Sequence, residues 1–297
     1  MRAEQSHLID CLVLLFLTLT GCGQPPSSGL QDPVQTSSAV ANRFDASRAG
    51  AIRGQIVWSG ALPQVPPFEV WSIPFAEDGS REKRIEPNPN APSVESVSRG
   101  VANAVVWIRG VDPQAARPWD HPAVRVELRD RRFHVIQAYT DSSYGFVRSG
   151  DRVGMVSQDD IPHSLHADGA AFFTVPFPDP NAPVERALTN RGLVELSSAA
   201  GHWAMRAYLF VDDHPYYTRT DSQGRFKLDG VPPGRYELVG WMPNWTTARI
   251  ERDPETAIPM RLFFNPGVEK MRSVRVISKQ TLEVRLAFRP DDFIPSR

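Results

Sequence analysis

Cysteine is almost missing from this chain: its 297 residues hold two, Cys11 and Cys22. So few thiols exclude a disulfide-stapled scaffold and a multi-Cys metal cage. Lysine is nearly as scarce, four residues against 29 Arg. The arginines are scattered singly, and the net charge is −1, so no basic surface draws the chain toward nucleic acid. No apolar run approaches the ~18 residues of a membrane-spanning helix. Long amphipathic helical patterns are also lacking. Gly-x-Ser-x-Gly, His-Glu-x-x-His and Gly-x-x-x-x-Gly-Lys-Ser/Thr do not occur, which removes the best-marked hydrolase, zinc-protease and nucleotide-binding signatures.

What is abundant is proline, 27 residues, nearly twice the usual ~5%. Proline breaks helices and sits at turns and strand edges, so this composition favours short strands. The chain is 41% hydrophobic and 23% charged, which is globular, and its length suits two domains. Ile52-Arg-Gly-Gln-Ile-Val-Trp58 alternates and meets a Ser-Gly turn. Asn103-Ala-Val-Val-Trp-Ile108 is a compact run suited to burial on both faces. Further strands are expected at Val124 to Leu128, Phe133 to Tyr139, Arg152 to Ser157 and Ala171 to Phe177. Others follow at Leu193 to Leu196, Met205 to Val211, Arg225 to Leu228, Tyr236 to Trp241, Arg261 to Phe264, Ser273 to Ile277 and Leu282 to Phe288. Most of 59–100, rich in Pro and charge, reads as loop. The expected class is all-β, in β-sandwiches.

The start of the chain has an address pattern. Cys11 to Thr20 is an apolar run of ten, ending in Leu19-Thr-Gly-Cys22. It resembles the bacterial lipobox, although Glu4 and Asp10 are unusual for a signal peptide. The resemblance implies a signal peptide over 1–21 and lipidation at Cys22. Cleavage would leave 32 basic and 32 acidic residues and no free thiol. Residues 22–49, rich in Pro, Ser and Gln, read as a flexible linker. The expected location is the cell envelope, tethered by lipid. Gly23 stands where many inner-membrane lipoproteins carry Asp, which gives a preference for the outer membrane.

Tyr216 to Trp241 contains Thr-Asp-Ser-Gln-Gly-Arg-Phe and Pro-Pro-Gly-Arg-Tyr. This segment resembles the second half of the carboxypeptidase regulatory-like domain, a transthyretin-like β-sandwich. Asp221 to Gly224 would form a hairpin turn, and Phe226 and Leu228 would face the core. Gly54 to Trp58 and Ala102 to Ile108 resemble the family's first half but lie far upstream. The implied domain is 50–110 plus 206–290, with an insert between.

Within the insert, Arg148-Ser-Gly-Asp-Arg-Val153, Asp159-Asp-Ile-Pro-His163 and Gly192 to Met205 resemble cupredoxin segments. The resemblance implies a cupredoxin-like sandwich over 120–205, with His163, His202 and Met205 at the positions of copper ligands. The position of the ligand Cys is Ala199. A blue-copper centre needs that thiolate, so the implied site is a remnant, and no cofactor is expected.

Asp159-Asp160 and Asp212-Asp213-His214 suit solvated loops better than paired carboxylates. Trp241-Met-Pro-Asn-Trp245 offers two indoles, Trp241 and Trp245, either to stack on sugars or to pack in the sandwich. The function these features favour is non-catalytic binding or scaffolding at the envelope, with a polysaccharide or an envelope protein as partner. The rivals are a copper-binding or electron-transfer protein on the His remnant, and a polysaccharide-active enzyme, for which no useful carboxylate pair stands out.

Overall fold

The computed structural model describes residues 43–71, 83–199, 201–202, 204–252, 254–255, 257 and 259–294. Every one of them belongs to the unit Val40–Arg297. Cys22, the expected signal peptide over 1–21 and most of the expected linker over 22–49 lie outside the described residues.

The chain is all-β, with its sheets forming sandwiches; one 3-10 turn, Pro290–Phe293, is the sole named helical element among the described residues. No helix among them is long and apolar enough to cross a membrane. Four sheets make the body. The first outer sheet orders Arg225–Val231, Gly50–Trp58 and Thr281–Phe288. The first inner sheet orders Tyr217–Arg219, Val105–Arg109, Gly234–Met242 and Val268–Val276. The second inner sheet orders Tyr144–Arg148, Arg206–Asp212, Gly192–Ser198, His163–Gly169 and Phe173–Phe177. The second outer sheet orders Val184–Ala187, Arg152–Ser157, Val124–Arg129, Arg132–Gln137 and Thr140–Ser142.

Period-two alternation stacks these sheets into layers. Val106, Ile108 and Leu238 from the first inner sheet join Ile52, Ile56 and Leu286 in one core. Their neighbours Val105, Trp107, Val239 and Trp241 point the other way and join Phe146, Tyr208 and Phe210 of the second inner sheet. Ala207, Leu209 and Val211 alternate back into a third cluster with Val126, Val135 and Met155. Both inner sheets are thus covered on both faces. This explains why Val105 to Ile108 and Arg206 to Val211 are buried without a break. Gly240 permits close packing of the first outer and inner sheets: a Cβ there would lie 2.6 Å from Ile56 Cδ1.

Pairing across long sequence separation builds the first inner sheet. Ile108 stands opposite Leu238 and Val105 opposite Trp241 in antiparallel register. Gly50–Trp58 runs parallel to Thr281–Phe288, with Ile52 opposite Leu282. One strand departs from the sequence-based division. Arg206–Asp212, grouped there with the region after 205, pairs with Gly192–Ser198 and Tyr144–Arg148. The short turn from His202 to Met205 forces this, because a hairpin returns its second strand to the same sheet. Residues 59–100 are less irregular than expected. Phe68–Trp71 pairs antiparallel with Lys83–Glu86, and Ser93–Val94 pairs with Val101–Ala102 just beyond this stretch.

Candidate functional site

Two places gather chemistry: the imidazole pair at one end of the second sandwich, and a cleft where the two inner sheets meet.

The imidazole pair begins with a tight hairpin. Asp130 and Arg131 both take positive φ, 53° and 54°, the geometry of a two-residue type I′ turn. The Asp159 carboxylate accepts from the Asp130 amide at 2.7 Å and the Arg131 amide at 3.0 Å. It also lies 2.7 Å from His163 Nε2. Burial pushes the Asp159 pKa up, but the donors from Arg131, His163 and Asp130 outweigh it and hold it below its ordinary value. Asp159 is therefore a structural acceptor that ties the hairpin to the strand beginning at His163. The His163 side chain is fully buried. Its Nε2 faces Asp159, and its Nδ1 is buried with no hydrogen-bond partner among the described residues. His202 stands beside it, ring centroids 5.0 Å apart. Burial, then the charges of His163 and Arg131, lower the His202 pKa to about 4, so this ring is neutral at pH 7. The Met205 amide donates to the His202 carbonyl at 2.9 Å, and Met205 is buried in the second sandwich core.

His163 and His202 thus converge, and Met205 sits on the same turn. The donor chemistry is two imidazoles, one of them neutral, and a thioether. Ala199 is exposed, and its amide donates to the Ser164 carbonyl at 2.7 Å. Without a thiolate the set does not fit a blue-copper centre. Among the described residues no group of three His, Cys, Asp or Glu is placed to hold a metal.

The two indoles do not form a sugar platform. Trp241 is 3% exposed and is ringed by Tyr208, Phe210 and Tyr144 at centroid distances of 5.1, 5.2 and 6.3 Å. Its strand position places it between the inner sheets, so no ring face is open. Trp245 stacks on Phe293 at 4.1 Å and leans on Trp58 at 5.8 Å, closing the edge of the first sandwich.

The cleft was not legible in the sequence. It encloses about 260 Å³ between the loop around Asn90, the Asn103 turn, the Ser142 to Tyr144 segment and the end of Tyr217–Arg219. Asn103 takes φ 59°, and its amide donates to the Thr220 carbonyl at 3.1 Å. Thr220 Oγ1 donates to the Val101 carbonyl at 2.6 Å and accepts from the Ala104 amide at 2.9 Å. Arg219 is held just before this knot. Tyr144 stacks on Tyr208 at 5.8 Å, and burial raises its phenol to about 12, so it remains a donor.

A family model described as polysaccharide lyase family 4, domain II, matches residues 186–253. That stretch crosses from the second inner sheet into the first. Among solved structures, a Cu(I) mutant of amicyanin is 15% identical, with 36% of this chain and 97% of that chain covered and a TM-score of 0.25. A reduced-state amicyanin mutant is 16% identical, with 33% and 96% covered and a TM-score of 0.24. No curated protein matches the chain.

Proposed function

We propose that this is a non-catalytic binding protein of the cell envelope, tethered through lipid on Cys22, and that its ligand is a glycan. The observation that carries the reading is the cleft between the inner sheets. Its wall offers amide, hydroxyl and guanidinium groups from Asn103, Ser143, Tyr144 and Arg219, the donor set that sugar hydroxyls and acids require. The polysaccharide-lyase description of the matching family model supports the same reading. The stacked sheets serve as a rigid frame, since both cleft walls belong to covered layers.

Two measurements test it. Labelled palmitate should enter the wild type and not Cys22→Ser; equal incorporation in both rules out the anchor. Glycan-array screening of the full chain should return oligosaccharide ligands, and a blank array with retention of envelope proteins alone would refute glycan binding.

A second reading is favoured by one atom. The Nδ1 of His163, without a partner among the described residues and beside the neutral ring of His202, would in the neutral imidazole offer a lone pair to a divalent cation. This reading makes the pair a weak copper site without a blue centre. Copper titration should then show weak binding, absent in His163→Gln, with no intense visible band.

A further inference from the structure

Several covered arginines among the described residues are matched by acids. Arg206, 6% exposed, lies 3.0 Å from Glu195. Arg117 is paired with Asp120, and Arg129 with Glu127 and Asp141. Arg219 departs from this pattern. It is half-buried at the end of its strand, opposite Val105. Its guanidinium has no hydrogen bond or ion pair among the described residues. Desolvation lowers its pKa, and the one group that opposes this is the Tyr144 phenol, not a carboxylate. Asp141, the acid on the cleft wall, is occupied by Arg129 and by His134 Nδ1 at 3.0 Å. A partly desolvated cation without a partner is costly, and it stands at the rim of a 260 Å³ space.

The Tyr144 hydroxyl also lacks a protein partner among the described residues, although its ring is held by Tyr208 and Trp241. The side chains of Ser143 and Asn103 share the wall and are similarly unengaged. Arg219 and Trp241 stand on either side of Val105, Tyr144 packs on Trp241, and cation and phenol line the same cleft with neutral hydrogen-bonding groups around them. This suits a ligand with one carboxylate and several hydroxyls. A guanidinium receives a carboxylate through two parallel N–H donors.

We propose that Arg219 and Tyr144 form a carboxylate clamp, and that the cleft takes a hexuronate residue, so the ligand is an acidic glycan. This rests on the glycan-binding reading. In the bound form the two Arg219 N–H groups bond the two carboxylate oxygens, Tyr144 donates to one of them, and Ser143 and Asn103 meet ring hydroxyls.

Calorimetric titration of the full chain tests it with glucuronate, its uncharged isostere glucuronamide, glucose, and a glucuronate-containing tetrasaccharide. Glucuronate and the tetrasaccharide should bind at least tenfold more tightly than the two neutral sugars, and the tetrasaccharide more tightly than the monosaccharide. Arg219→Gln should remove at least tenfold of the uronate affinity and leave neutral-sugar binding as it was. Tyr144→Phe should remove a smaller factor, and Arg225→Gln, an exposed arginine paired with Asp221, should change nothing. Unchanged melting temperatures would exclude misfolding. Equal affinity for glucuronate and glucuronamide, or uronate binding untouched by both Arg219→Gln and Tyr144→Phe, would overturn the clamp while leaving glycan binding in place. No heat with any of the four sugars would overturn both.

Discussion

At the residue scale, burial rather than charge pairing dominates at His121, His166, His202 and His214. Burial lowers the pKa of His121 against the opposing effect of the Pro215 carbonyl, which sits 2.8 Å from its Nε2. A His that the fold prefers neutral contributes stability that is complete above its unfolded value of about 6.5 and declines as the pH falls below it. His214 is lowered for the same first reason, burial. The urea midpoint should therefore drop between pH 7 and pH 5, and His121→Asn should flatten part of that slope; an unchanged slope would show that His121 is not one of the groups responsible. Glycine is the other residue with a fixed role. Gly224 has φ +75°, and a Cβ there would lie 2.2 Å from the Ile56 carbonyl. Gly224→Ala should cost about 2 kcal/mol or more, because both the backbone region and the space are wrong for it. A urea midpoint equal to wild type would remove this argument.

At the scale of the element, one strand shows how position decides the value of a side chain. Along Gly234–Met242, Arg235 and Trp241 lie on the same face by period-two alternation. Arg235 is exposed past the edge of the second sandwich, whereas Trp241 is sealed against Tyr208 and Phe210. Trp241→Ala should cost about 3–5 kcal/mol, and Arg235→Ala should stay within about 0.5 kcal/mol. Comparable losses from the two would mean that the inner sheets do not share a packed face. The hairpin turn at Asp130 and Arg131 is likewise governed from outside itself. Asp159 supplies both amide acceptors, so the histidine pair is anchored by a carboxylate from another loop.

For the whole molecule, the aromatic layer between the inner sheets is the main constraint. Val105, Trp107, Val239 and Trp241 are all buried against the second sandwich. Excising residues 120–212 and bridging the gap would expose them together, a contiguous apolar patch of the sort soluble monomers rarely carry. The excised form should bind hydrophobic dye and aggregate. A monomeric product with a sharp thermal transition would show instead that the first sandwich stands alone.

Composition and pattern by themselves determined the class. Proline content, short alternating runs and the lack of helical periodicity led to all-β sandwiches, because local periodicity reports which faces are covered. The unbroken run at Val105 to Ile108 already signalled a strand buried on two sides. Sequence also placed His163 and His202 as a pair, through spacing that resembled a known family. It did not show that Trp241 is sealed, since an indole that packs and one that stacks on sugar look alike in one dimension. It missed Tyr144–Arg148 and His163–Gly169, whose edges carry glycine, histidine and charge. The cleft was decided by tertiary structure alone. Arg219, Tyr144 and Asn103 come from three separated segments, and only the meeting of the inner sheets brings them to one wall. That Arg219 has no acid among the described residues is a statement about every neighbour at once, which no local pattern encodes.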